Sequence, residues 1–428
     1  MVDRTPSTGF PPGFDPIDLT HGAEVDDTGP EIAARFALPK ARAPEPAVRI
    51  AATPYVWRDP RSIPRRQWLY GRHYIRRFTT ATVAPGGLGK SSLALVEALA
   101  MVTGRPLLGF QVPKPLRVWI WNGEDPREEI ERRLAAALIH FDISPEDIGD
   151  RLFIDSGRET PIILAEKLGE GITVVVPIVD ALTAEIRARQ IDVMIVDPFV
   201  SCHAVPENDN GAIDRVTKTW ARIAEATNCG VELVHHVRKA GSGQTTYTVE
   251  DARGGSALIG AVRSARVLNA MSPEEAETAD IAASDRRRFF RVDDGKSNMA
   301  PPVERAEWRE LVSVGLGNDD VDGPEDLVGV ATAWMMPGLF ADIDMDDTRR
   351  VQKAIAAGSW SESVQAGNWA GRAIGEVLGI DTSPKTPGQT RVKALLKGWL
   401  KGGALKVTHE HDSRNGRSRP MIVVGQWV

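Results

Sequence analysis

The sequence predicts an α/β protein: a larger domain on a mostly parallel sheet with helices on both faces, followed by a smaller basic domain of three helices and a hairpin. Three observations predict it. Between residues 76 and 315, short and largely apolar strand segments alternate with helical ones, the pattern of a sheet covered by helices on both faces. One strand–helix junction holds a glycine-rich loop, APGGLGKSS at 84–92. Two further apolar strands end in carboxylates, at Glu124 and at Asp197.

Length and composition set the frame. The chain has 428 residues, more than one ordinary domain holds, with 42% hydrophobic and 26% charged residues, so sizeable cores can form. Net charge is −6, which excludes a globally basic nucleic-acid binder and requires charge to be read by segment. Cys202 and Cys229 are the only cysteines and neither lies in a CxxC; a disulfide framework is not expected, and a reducing cytosol fits. The first residues carry no apolar run of signal-peptide type. No segment approaches the roughly 20 apolar residues of a membrane span, so no membrane partner is expected.

Along the chain, residues 1–46 are rich in Pro, Gly, Asp and Thr and are expected to form a disordered acidic arm. Residues 47–75 set Tyr55, Trp57, Trp68, Tyr70 and Tyr74 among arginines and read as a lead-in segment packing on the next domain. The core, 76–315, is expected to place strands at 78–83, 116–121, 152–155, 193–196 and 230–234. Its helices fall at 91–103, 126–140, 175–188, 210–227 and 256–265, and 288–292 and 308–314 read as edge strands. Residues 316–345 hold seven acids and two prolines and read as an acidic linker. Residues 346–428 form the second domain.

The loop at 84–92 has the context its chemistry needs, after a strand and opening a helix. Ala84, Pro85, Gly86, Gly87, Leu88, Gly89, Lys90, Ser91 and Ser92 are expected to wrap a phosphate chain, with backbone N–H groups and a helix N-terminus facing the oxygens. Lys90 would reach the β- and γ-phosphates of ATP, and Ser91 would offer its hydroxyl to Mg²⁺. The first position is Ala84, where the motif has glycine. Asp197 ends the buried strand IDVMIVD, on the sheet edge where open α/β sheets bind ligands, and is the second expected Mg²⁺ ligand. Glu124, in WNGEDP, is expected to polarise the attacking water, while Asp125 suits a cap for the helix that follows. The strand VELVHH ends in His235 and His236. Adjacent strand residues point to opposite faces, so one imidazole sensing the γ-phosphate is a better reading than a shared metal. Arg263, on the helix expected at 256–265, can neutralise charge in another subunit's site or stand as a surface cation.

These motifs in this order — APGGLGKSS, WNGEDP, IDVMIVDPF with PENDN, VELVHHVRKAG, RGGSALIGAVRSARVL and KSN at 296–298 — resemble the RepA-type hexameric replicative helicase family, a branch of the RecA/DnaB-like ATPases. The resemblance covers about residues 65–300. It implies that Glu124 is the catalytic glutamate, His236 the sensor histidine, Arg263 a trans-acting arginine and Lys296 a second interface cation. It further implies a homo-oligomeric ring, a hexamer, with ATP at the interfaces and single-stranded DNA in the centre. An ATP-switched DNA-binding initiator that unwinds nothing is the alternative.

In the second domain, helices are expected at 346–357, 369–378 and 386–400, then strands at 404–407 and 421–426. Segment 381–428 carries nine Lys/Arg against three acids. Three helices followed by a basic hairpin is the order of a winged helix. Arg391, Lys393 and Lys397 on the third helix and Arg414, Arg417 and Arg419 on the hairpin are the expected duplex DNA contacts.

Overall fold

A computed structural model describes residues 51–169, 171–238, 244–301, 306–321, 323–412 and 417–427. Residues 1–64 form one unit and 65–428 another. In the first, only 51–64 are described, with a single 3-10 turn at Pro60–Ser62 capped by Asp59; Tyr55 and Trp57 are exposed there. The expected arm at 1–46 lies outside the described residues.

The second unit opens with a short antiparallel pair, β1 (Trp68–Tyr70) and β2 (Tyr74–Ile75), whose Tyr70 and Tyr74 are buried. The central sheet follows: β3 (Thr79–Ala84), β4 (Val118–Asn122), β5 (Leu152–Ser156), β8 (Val193–Asp197), β9 (Gly230–His236) and β10 (Ser264–Ala270) are parallel, in the order β10-β3-β9-β8-β4-β5. A small hairpin, β6 (Ala165–Leu168) and β7 (Gly171–Val174), stands apart. Beyond β10 the sheet continues antiparallel through β11 (Phe289–Ser297), β12 (Glu307–Gly315) and β13 (Leu327–Trp334).

Strand residues alternate between two cores, as the pleat requires. Trp119, Trp121, Met194 and Val196 face one, and Val118, Ile120, Val193 and Ile195 face the other. α1 (Lys90–Thr103), α2 (Arg127–Phe141) and the short α3 (Pro145–Ile148) lie on the second face. α4 (Val176–Ala188), α5 (Asn210–Thr227) and α6 (Gly255–Ala261) cover the first. The α/β class and the mostly parallel sheet are therefore as the sequence predicts.

Three expectations are corrected. The helix expected at 256–265 stops at Ala261, and Ser264 already begins β10. Arg263 therefore sits on a link, not on a helix. The segment expected as an acidic linker holds β13, the last strand of the central sheet; its apolar residues Val330 and Ala331 are buried in the second core. Asp125 does not cap α2: the cap residue is Pro126, without a side-chain bond.

After a short helix α7 (Pro273–Thr278), the C-terminal part comprises α8 (Met345–Ala356), β14 (Trp360–Ser361), α9 (Ala370–Leu378), α10 (Pro387–Gly402), β15 (Leu405–Asp412) and β16 (Arg417–Val424). Its strands make an antiparallel sheet in the order β14-β16-β15. α10 opens on a Thr386 cap with Pro387 in its first turn. Val351, Ile355, Trp369, Ile374, Leu395, Trp399 and Ile422 close a separate core. Thr390 of α10 hydrogen-bonds to Glu277 of α7, tying this part to the main body.

Candidate nucleotide site

Because β3, β9, β8 and β4 run parallel and adjacent, their C-terminal ends share one edge of the sheet. That edge carries, in order, the 84–92 loop, His236, Asp197 and the turn holding Glu124. A cavity of about 530 Å³ opens there, with Gly87, Gly89, Lys90, Ser91, Glu124 and His236 in its wall.

The loop geometry explains the residue types. Ala84 is the last residue of β3, fully buried, and accepts a hydrogen bond from Val237 N–H at 3.1 Å. It is a strand residue, so alanine fits where the motif has glycine. Gly89 is left-handed at φ 91°, and a Cβ there would stand 2.9 Å from Leu311 of β12; both reasons favour glycine. In the neighbouring turn a Cβ on Gly123 would meet the Ser201 Cβ at 2.3 Å, so that turn needs its glycine too.

Lys90 opens α1 and is buried. Burial pulls its ammonium below the ordinary lysine range, against the opposing pull of Asp197 and Glu124. Asp197, 5% exposed, is raised by burial, although a Ser91 hydrogen bond and the Lys90 charge lower it. Asp197 and Ser91 thus put a buried carboxylate and a half-buried hydroxyl, both hard oxygen donors, beside an ammonium. That donor set suits Mg²⁺, which is held by one or two carboxylates together with substrate phosphates.

The Glu124 turn is held by its neighbours. Asn122 Oδ1 accepts from the Glu124 N–H at 2.9 Å and the Asp125 N–H at 2.7 Å. Asp125 receives the Arg133 guanidinium at 2.7 Å, which is where its carboxylate goes instead of capping. The two histidines separate as strand geometry requires. His236 faces the cavity, and burial and the Lys90 charge lower its pKa. His235 is buried on the other side, donating from Nε2 to the Arg253 carbonyl at 2.9 Å, and burial takes it down to about 4.

Two expected residues are not brought to this edge. The Arg263 N–H bonds to Thr79 O at the start of β3. The phosphate loop leaves β3 six residues on, roughly 17–20 Å away. Lys296 Nζ donates to the Ile259 and Gly260 carbonyls at the end of α6, and burial and then the nearby Arg263 charge lower its pKa. The two cations form a second cluster, with Arg263 exposed.

Sequence reasoning missed much of the cavity wall: Glu129, Arg132 and Arg133 of α2, Leu311 of β12, and Asp326, Leu327, Val328 and Gly329 at the start of β13. The i, i+4 spacing of Glu129 and Arg133, an ion pair at 3.0 Å, was the available signal for the helical part.

Of the expected DNA contacts, Lys393 and Lys397 are exposed on α10. Arg391 instead pairs with Asp342. Arg419 is exposed on β16 opposite Glu410. Arg417 opens β16, and Arg414 lies outside the described residues.

Fold and site together define an α/β protein with a phosphate-loop edge. The AAA domain family matches residues 44–242, the stretch that carries the loop, Glu124, Asp197 and both histidines. Among solved structures the chain is similar to the RadB recombinase, at 12% identity and a TM-score of 0.37, over 56% of this chain and 89% of that one.

Proposed function

We propose that this protein is an ATP-hydrolysing DNA motor, a replicative helicase acting as a ring oligomer with its ATP sites shared between neighbouring copies. The observation that carries the reading is the split of the charged machinery. Lys90, Ser91, Glu124, Asp197 and His236 line one edge of the sheet, while Arg263 and Lys296 cluster at the start of β3, beyond reach of their own chain's loop. A cation that cannot reach its own site can complete a neighbour's.

In this reading the loop N–H groups and Lys90 bind the triphosphate. Ser91 and Asp197 would hold Mg²⁺, which would supply neutralisation of the phosphate charge. Glu124 orients and polarises a water against the γ-phosphorus; the bond to the bridging oxygen breaks, and ADP and phosphate leave. Lys90 and the neighbour's Arg263 stabilise the charge on the transferring group, with Lys296 as a second interface cation. His236, kept neutral, hydrogen-bonds toward the γ-phosphate and reports its loss.

The C-terminal part is read as a winged helix on duplex DNA. Its support is the element order helix–strand–helix–helix–strand–strand and the exposed Lys393, Lys397 and Arg419. The test is ATP turnover with and without single-stranded DNA, together with the mass of the assembly in Mg²⁺ and a non-hydrolysable analogue. DNA-stimulated turnover by a ring-sized oligomer is expected, followed by strand displacement on a forked duplex. DNA-indifferent turnover by a monomer would overturn the motor reading.

A further inference from the structure

The antiparallel extension does more than widen the sheet. β12 and β13 fold back toward the start of α1. The Ser92 hydroxyl, one residue past the expected Mg²⁺ ligand, donates to Gly329 O and accepts from Ala331 N–H, both at 2.9 Å. Leu311 of β12 lies against Gly89 of the loop. The first residues of β13 therefore form the cavity wall that faces α2.

This wall differs in chemistry from the phosphate end. Leu311, Leu327 and Val328 are apolar, and Leu327 is 68% exposed. An exposed leucine in the same cavity as the buried Lys90 does nothing for phosphate oxygens. At the outer end Asp326 meets Arg132 of α2 at 3.2 Å, and Asn318 holds the same carboxylate at 2.9 Å. A nucleoside triphosphate has the same division: a charged chain, then a flat apolar face edged by polar groups.

We propose that the β12–β13 wall seats the nucleoside half of the substrate, with Leu327 and Val328 against the base and the Asp326–Arg132 pair as its polar edge. The proposal rests on the nucleotide reading above. It makes the acidic stretch before β13 a specificity element.

The test compares binding of ADP with binding of inorganic tripolyphosphate, which has the charge and no nucleoside, to the full chain by calorimetry. Leu327→Ala is expected to weaken ADP on the order of tenfold, the scale of one lost apolar side-chain contact, and to leave tripolyphosphate unchanged. Asp326→Ala is expected to weaken ADP severalfold without weakening tripolyphosphate. Because Leu327 is exposed, its replacement leaves the core intact. If both variants bind ADP as the parent does, or lose both ligands equally, the nucleoside wall is wrong. If the parent binds neither ligand, or Lys90→Ala binds both undiminished, the nucleotide site itself is wrong.

Discussion

Lys90 and Asp197 are each displaced toward neutrality by burial, the ammonium downward and the carboxylate upward. Lys90→Ala is expected to reduce ATP turnover about a hundred- to a thousandfold, the scale seen when a transition-state charge partner is removed. Glu124→Gln is expected to bind nucleotide normally and turn over on the order of a hundredfold more slowly or worse, since it keeps the shape and removes the base; a coupled phosphate-release assay checks both. A separate residue-scale consequence follows from burial of His203 and His235, which takes each imidazole down to about 4. An unfolded imidazole takes up its proton near 6.5. Between those values the unfolded chain binds more protons, so stability falls as pH falls from about 6.5 toward 4. His203→Gln is expected to flatten that part of the melting-temperature profile; an unchanged slope would exclude His203 as a contributor. Lys90, Ser91, Glu124, Asp197 and His236 were legible because each stands at the end of an apolar strand or in a loop of fixed spacing. Asp125 was misread because its partner, Arg133, lies eight residues on and a turn-capping reading needs no partner at all.

The elements that escaped sequence reading share a cause. The α6–β10 link is only Val262 and Arg263, with no Gly or Pro to mark it, so small residues carried the helical pattern into a strand. β13 follows a run of acids whose composition outweighed its own apolar alternation. With β10 misassigned, Arg266 was unreadable. It is buried, donating to Glu97 Oε1 at 2.7 Å, Glu97 Oε2 at 2.5 Å and the Thr82 hydroxyl at 2.7 Å. This pair ties α1, and so the phosphate loop, to β3 and β10. Beside it His73 bridges Ser264 and Glu232. Glu97→Ala would strand a buried guanidinium, and a loss of about 3–5 kcal/mol in urea unfolding is expected. A Glu97→Met, Arg266→Leu double variant is expected to recover part of it, since removing both charges leaves neither unpaired, while the buried Tyr74 hydroxyl still loses its Glu97 acceptor. Recovery no better than the single variant would contradict this account of the pair.

At the scale of the molecule, the alternation of apolar strands and helices was enough to give the α/β class and the parallel sheet, because a sheet buried on both faces leaves that signature in sequence. Strand order was not legible, and strand order is what puts the loop and Arg263 at opposite ends of β3. That separation is the basis for proposing a site shared between copies, and it makes a direct test available. Lys90→Ala removes the phosphate lysine from one side of an interface, and Arg263→Ala removes the arginine from the other. Each variant alone is expected to be nearly inactive. Mixed and allowed to reassemble, the two form some interfaces in which Lys90 and Arg263 are both intact, so ATP turnover well above either variant alone is expected. A mixture no more active than its components, with mixed assemblies confirmed by mass, would contradict a shared site.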